Sequence, residues 1–277
     1  MGRDDAAGAS SLEFDREVVT NAAAAVHRSG GTATTVTNAS SGTNVHEIAP
    51  GIFRISTPVP PAQFPGGFTF NQILVVDDAP LLFHTGPRRM FPLVREAVAH
   101  ILGDAAKLRY VSFSHVEADE CGSLNEWLAV APRAEPVCST IAAMVSITDL
   151  ADRPPRPLAD GEELSLGQKR VRWLDAPHLP HSWECGYLLE VTSKTLLCGD
   201  LFTHGGADGP PITEHEVLSP SEAMRKAMGG VAIEANTRTL LEKLASTEPT
   251  TLALMHGSSY RGNGHALLHG LADALGV

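Results

Sequence analysis

Apolar residues recur along this chain in two rhythms, and each change of rhythm marks an element. Residues 45–50 and 51–56 alternate apolar and polar positions about Pro50-Gly51, which predicts a hairpin. Residues 57–67 hold four prolines and two glycines and read as a loop. Near-continuous apolar runs at 68–76 and 80–84 predict buried strands about the turn Asp77-Asp78. At 90–102 the rhythm becomes helical, with Phe91, Val94, Val98, Ile101 and Leu102 on one side and Gly103 as the stop. A short strand at 109–113 runs into the polar stretch 114–120, and a helix follows over 122–130. The second half has the same logic. A strand at 137–139, a helix at 140–150 and a loop at 153–157 precede two strands within 164–174 about Gln168-Lys169. A hairpin is expected from 186–191 and 195–198. Ser219-Pro220-Ser221-Glu222 starts a helical stretch that reaches 246 with an interruption at Gly229-Gly230. A strand at 251–255 and a helix at 264–275 complete the series.

Strands followed by helices in both halves predict an α/β fold of two packed sheets with helices outside. Residues 1–44 stand apart. A short helix is expected over 21–26, whereas 29–44 is Ser, Thr, Gly and Asn with few large apolar side chains. Such a segment buries too little surface to offset its ordering entropy. The expected division is therefore a flexible tail, 1–44, and one domain, 45–277.

Composition narrows the classes of function. Asp and Glu total 32 against 21 Lys and Arg, a net charge of −11, which argues against binding to nucleic acid or anionic membranes. No apolar run is long enough to span a bilayer, and the first residues lack a signal-peptide pattern. The cysteines Cys121, Cys138, Cys185 and Cys198 form no CxxC pair. The expectation is a cytoplasmic protein with reduced thiols.

Four polar clusters sit where apolar strands end, the usual place for a site in α/β folds. They are Ser114-His115-Val116-Glu117-Ala118-Asp119-Glu120-Cys121, His178-Leu179-Pro180-His181, Cys198-Gly199-Asp200 and Met255-His256-Gly257. Side chains two apart on an extended segment share a face, so His115 and Glu117 can bind one metal ion. Asp119 and Glu120, after the turn, face a second. His181 completes the first shell, His256 the second, and Asp200 is the natural bridge. Solvated acidic loops and locally bonded histidines explain any one of these residues alone. The ordered set at strand ends is what points to a binuclear centre.

This set resembles the diiron branch of the metallo-β-lactamase superfamily, the oxygen-binding diiron proteins and the corresponding domain of flavodiiron proteins. Their H-x-E-x-D-H motif, a His, an Asp about 19 residues later and a distant His match His115, Glu117, Asp119, His181, Asp200 and His256. Glu47-Ile-Ala-Pro-Gly-Ile-Phe53 and Gly67-Phe-Thr-Phe-Asn71 extend the likeness, which covers about residues 45 to 260. The resemblance implies an αββα four-layer sandwich with two iron ions at one edge.

Three departures qualify it. The family's His after the Asp is Glu120 here, giving a carboxylate-rich second shell that favours iron or manganese over zinc. His84 stands where an Asp is usual and is expected to support the ligands. The chain ends at Val277, so no flavin is expected to be bound in it. Spacing favours His181 over His178 as the ligand, with His178 a pocket residue, but a shifted loop would reverse them. Tyr260 and His204 are weaker candidates for groups facing a bound oxygen species, with ordinary packing the plainer reading, and Trp183 for a pocket wall. Cys121 and Cys185 read as buried small residues and Trp127 as helix packing.

The function implied is a non-haem diiron protein that binds dioxygen or a peroxide, as a sensor, a store or a reductase fed by a separate electron-donor protein. A binuclear hydrolase of an ester, lactone or thioester is the alternative, and a binding module with structural metals the third. A homodimer is also expected from the family.

Overall fold

A computed structural model describes residues 26–27 and 33–277. The expectation for residues 1–25 and 28–32, including most of the helix expected over 21–26, lies outside the described residues. The flexible reading of 33–44 does not hold. Strand β2 (Thr34–Asn38) lies between the two-residue strand β1 (Val26–His27) and β3 (Thr43–Ala49), antiparallel to both. Its run of β-branched Thr and Val suits a pleated ribbon. The Ser and Gly that follow make the turn, where the Asn38 side chain accepts from the Ser41 amide at 3.1 Å and the Ser40 hydroxyl at 2.7 Å. The polar residues 34–42 are therefore one strand and a hairpin turn.

The first sheet continues through β4 (Ile52–Val59), β5 (Phe68–Val75), β6 (Leu81–Phe83), β7 (Tyr110–Ser112), β8 (Glu135–Ser139) and β9 (Arg156–Leu158). These nine strands lie in sequence order, antiparallel as far as β6 and parallel from there on. β9 occupies the place of an expected loop. Pro157 within it and Pro154-Pro155 before it hide the strand signal, but Leu158 is buried and β9 pairs with β8. The second sheet contains β10 (Glu163–Ser165), β11 (Arg170–Asp175), β12 (Gly186–Glu190), β13 (Thr195–Leu197), β14 (Ile212–Thr213), β15 (Thr251–Ala253) and β16 (Ser259–Arg261). Its order is β10-β11-β12-β13-β15-β16-β14. The short strands β14 and β16 were not expected.

Helices cover the outer faces. α1 (Phe91–Leu102) ends at Gly103 in the left-handed conformation that stops a helix without steric cost. α2 (Ala118–Cys121), α3 (Leu124–Val130), α4 (Thr140–Ala142) and α5 (Thr148–Leu150) follow, the last two flanking a π-helical turn. α6 (Leu218–Met228), α7 (Thr237–Ala245) and α8 (Gly264–Leu275) lie on the second sheet. In α8, Leu267, Leu268, Leu271 and Leu275 are buried on one face. Asn263 caps that helix by accepting from the Ala266 amide at 2.9 Å.

Three apolar clusters establish the four layers. One, around Trp127, Val98 and Phe113, lies between the first sheet and its helices. Another, around Ile52, Phe83, Trp173 and Leu197, lies between the sheets. The third, around Leu196, Leu244 and Leu268, lies beneath α6, α7 and α8. The molecule is thus the αββα sandwich that the resemblance implied. Among the described residues no helix is long and apolar enough to cross a membrane.

Candidate metal centre

The parallel pairs β6–β7 and β13–β15 aim their C-terminal ends at one edge of the sandwich. His84 follows β6, His115 follows β7, Asp200 follows β13 and His256 follows β15. His181 comes from the connection between β11 and β12. Loops from both sheets therefore bring residues 141 positions apart in sequence into one cluster.

The cluster has two halves. In one, the His115 and His181 Nε2 atoms lie 2.9 Å apart, and Glu117 Oε1 lies 3.7 and 3.1 Å from them. In the other, His256 Nε2 lies 3.4 Å from Asp119 Oδ2. Asp200 stands between, with Oδ2 3.8 Å from both His115 and His181 Nε2 and Oδ1 3.3 Å from His256 Nε2. Glu120 belongs to both halves, grouping with Asp119 and His256 and also with His115 and Glu117.

Each histidine is held by its other nitrogen. His181 Nδ1 is 3.0 Å from the Gly230 carbonyl and His256 Nδ1 is 2.8 Å from the Thr69 carbonyl. A carbonyl only accepts, so Nδ1 carries the proton, and in the neutral ring Nε2 offers a lone pair to the cluster. His115 Nδ1 is 2.9 Å from Ser114 Oγ, which lies 3.0 Å from His84 Nε2. This His84–Ser114–His115 chain gives His84 the supporting position expected of it. Gly199 keeps the loop before Asp200 tight, because a Cβ there would sit 2.9 Å from Ser114 Oγ.

The cluster fits two divalent cations. Asp200 Oδ1 and both Glu120 carboxylate oxygens are buried without a hydrogen-bond partner. Buried carboxylates left in that state are costly unless a proton or cation meets them. The ionisation pattern agrees. Burial, with Asp200 and Asp119 nearby, holds Glu120 well above the usual carboxylate range. Burial alone would depress His256, but Asp119 and Asp200 raise it to about 9. Burial alone would raise Asp119, but its bond to His256, the His256 charge and neighbouring hydrogen bonds together lower it. Burial lowers His84 to about 3, so it is a neutral link in the chain to His115.

The remaining candidates fall outside the cluster. His178 is exposed, with a left-handed backbone, and its amide donates to Ser182 O at 2.8 Å. The structure therefore brings His181, not His178, among the donors. His204 is buried behind the His256 loop, with Nδ1 bonded to Phe202 O at 2.9 Å and Nε2 accepting from Ser258 N at 2.9 Å. Both ring nitrogens are occupied by backbone, so it braces the loop and faces no ligand. Gly257 is part of the same fit, since a Cβ there would meet the His204 ring at 2.4 Å. Tyr260 packs on the apolar cluster beneath the second-sheet helices, with its hydroxyl beside Gly262. Trp183 is exposed and does not line the cavity beside the donors, whereas Trp127 is fully buried on the inner face of α3. The four thiols are free. Cys138, Cys185 and Cys198 are buried, Cys121 is half-buried, and burial pushes each of them up.

Sequence reasoning missed the scaffold of the His256 loop. Asn71 Nδ2 donates to Leu254 O at 3.0 Å and Gly257 O at 2.9 Å, and the buried Arg54 donates to Gly257 O at 3.1 Å. The available signal was parity: Arg54 and Ser56 share a strand face with the core residue Ile52. Also missed was a cavity of about 270 Å³ that opens onto Asp119, His181, Asp200 and His256.

The sequence model of a family described as "ODP family beta lactamase" matches residues 68–257. A putative diflavin flavoprotein A 1 from Thermosynechococcus vestitus is 27% identical over 158 residues, 56% of this chain and 27% of that protein. Rubredoxin oxygen:oxidoreductase from Desulfovibrio gigas superposes with a TM-score of 0.68 at 20% identity, over 83% of this chain and 61% of the other. The Flv1 flavodiiron core from Synechocystis gives 0.69 at 20% identity, over 84% and 61%. This chain thus spans about a quarter of the curated relative and about three-fifths of each of these structures.

Proposed function

The chain belongs to the ODP beta-lactamase family, and from that premise we propose that it is a non-haem diiron protein that reacts with dioxygen or a peroxide. The observation that carries this reading is the donor set. Three imidazole nitrogens meet Glu117, Asp119, Glu120 and Asp200, and the two Asp200 oxygens face different halves. Such an oxygen-rich set suits iron or manganese better than zinc. Relatives that are flavodiiron proteins, and one that is an oxygen:oxidoreductase, support the same chemistry.

Two ferrous ions bound here would supply one electron each to dioxygen. The chain's own groups do the rest. Ser114, Gly230 and Thr69 hold the three imidazoles so that Nε2 points inward. Glu120 would offer a bound cation its two buried, unpartnered carboxylate oxygens. Glu117, with its side chain 47% exposed, is the ligand freest to move at the rim.

The test is elemental analysis of protein produced with iron and zinc both supplied, followed by anaerobic reduction and aeration. We expect about two irons per chain and an optical change that depends on oxygen. Iron-loaded protein with no such change would overturn the oxygen reading. Two zincs, with aryl-ester or lactone turnover that tracks them, would replace it with a hydrolase.

A further inference from the structure

The cavity beside the donor cluster is larger than a diatomic molecule needs. Its volume is about 270 Å³. One water takes about 30 Å³ of the liquid, and an apolar cavity of about 150 Å³ holds a benzene ring. On that scale this cavity takes about ten non-hydrogen atoms.

Its walls say what kind of atoms. One side is an aromatic ledge. Phe64 and Phe68 lie 4.7 Å apart between ring centroids, and Phe70 meets Phe68 edge-on at 5.5 Å. Phe68 is also stacked on the ligand His256 at 4.3 Å, so the ledge runs up to the metal centre. The opposite side includes Met224, Met228 and Val231, from α6 and the segment after it. Thioethers adapt to flat rings and favour their edges. The charged residues in this wall cancel. Arg225 Nε and Nη2 donate to the two Glu222 oxygens at 2.8 and 2.7 Å. Thr203 Oγ1 is spent on Asp200 O at 2.7 Å. Away from the donor cluster, a charged guest would therefore lose its hydration with no free counter-ion in the wall.

We propose that this cavity binds an uncharged organic molecule built on one aromatic ring, with a single polar substituent turned toward the donor cluster. The orientation of the guest rests on the metal-centre reading, but the cavity does not. The guest is the molecule on which, or beside which, the centre acts, in addition to dioxygen or peroxide.

Benzyl alcohol is the probe. It is titrated into the full chain, iron-loaded and chelator-stripped, and followed by calorimetry and saturation-transfer NMR. Met224→Trp fills the cavity from its wall. Met228→Trp does so from a position 64% exposed, where folding is not at risk. We expect saturable one-to-one binding, tighter in the iron-loaded protein, and at least about tenfold weaker in both variants at unchanged metal content. No saturable binding at full metal content would overturn the proposal and leave the diiron reading standing. Binding that neither variant weakens would place the probe elsewhere and overturn it as well. Binding that both variants weaken in a protein that takes up no iron would support the cavity and sink the diiron reading alone.

Discussion

Ser114 shows how one small side chain fixes the chemistry of a larger one. Its hydroxyl lies between His84 Nε2 and His115 Nδ1, and His115 is fully buried. Without it, the His115 ring loses the partner that orients Nε2. Ser114→Ala should weaken metal binding about 10–100-fold, as loss of such outer partners does, with the folded structure retained. Competition against a chelator of known affinity measures this, and an unchanged affinity would remove Ser114 from the site. The bridging geometry of Asp200 makes a second prediction. Because its oxygens face both halves, Asp200→Ala should leave less than about one metal per chain, while Glu117→Ala should leave about one. Equal losses in the two variants would contradict the division of the site. At this scale most donors were legible, because His115, Glu117, Asp119 and Glu120 are neighbours in sequence with strand and turn spacing. Spacing favoured His181 over His178 but left the choice open. It depends on a loop in which Leu179 O accepts from Cys185 Sγ at 3.1 Å and Pro180 O accepts from Ala232 N at 2.6 Å.

Elements place those residues, and one helix end illustrates how. α6 stops at Gly229, whose φ of +74° closes the helix, and the segment that follows presents Gly230 O to His181 Nδ1. Nothing lies within 4 Å of a Cβ at Gly229, so only backbone strain opposes a side chain there. Gly229→Ala should cost about 1–2 kcal/mol without changing metal content. Urea denaturation at constant m-value measures the first and elemental analysis the second. A neutral effect would mean that the helix end relaxes freely. The regular strands and helices were legible from their periods because each buries a continuous face. β2, β9, β14 and β16 were not, since two to five residues rich in Thr, Pro or Ser carry too few apolar positions to show a period. Their partners in the ladder, not their own side chains, make them strands.

For the whole molecule, the metal centre joins the two sheets. His115 and Glu120 come from the first sheet, and Asp200 and His256 from the second. With no cation, Glu120 lies buried against Asp200 and Asp119, and neither of its carboxylate oxygens has a hydrogen-bond partner. Removal of metal should therefore lower the melting temperature. At free metal a hundredfold above the dissociation constant, each site adds about 2.7 kcal/mol. Scanning calorimetry with ferrous iron under anaerobic conditions, against excess chelator, checks this. An unchanged midpoint would show that the sheets close without the ions.

The sequence by itself determined the two-sheet plan, the order of its regular elements and most of the residues that gather in the cluster, because burial periodicity and strand-end spacing are local properties of the chain. Only the tertiary structure decided the rest. It selected His181, occupied both nitrogens of His204, turned Tyr260 into the core, and tied the His256 loop to Asn71 and Arg54. It also walled a cavity with Phe68 from one sheet and Met224 from a helix of the other. The Asn71 and Arg54 bonds and the cavity walls join residues more than 100 positions apart. They depend on how one sheet is laid on the other, and no window of sequence records that.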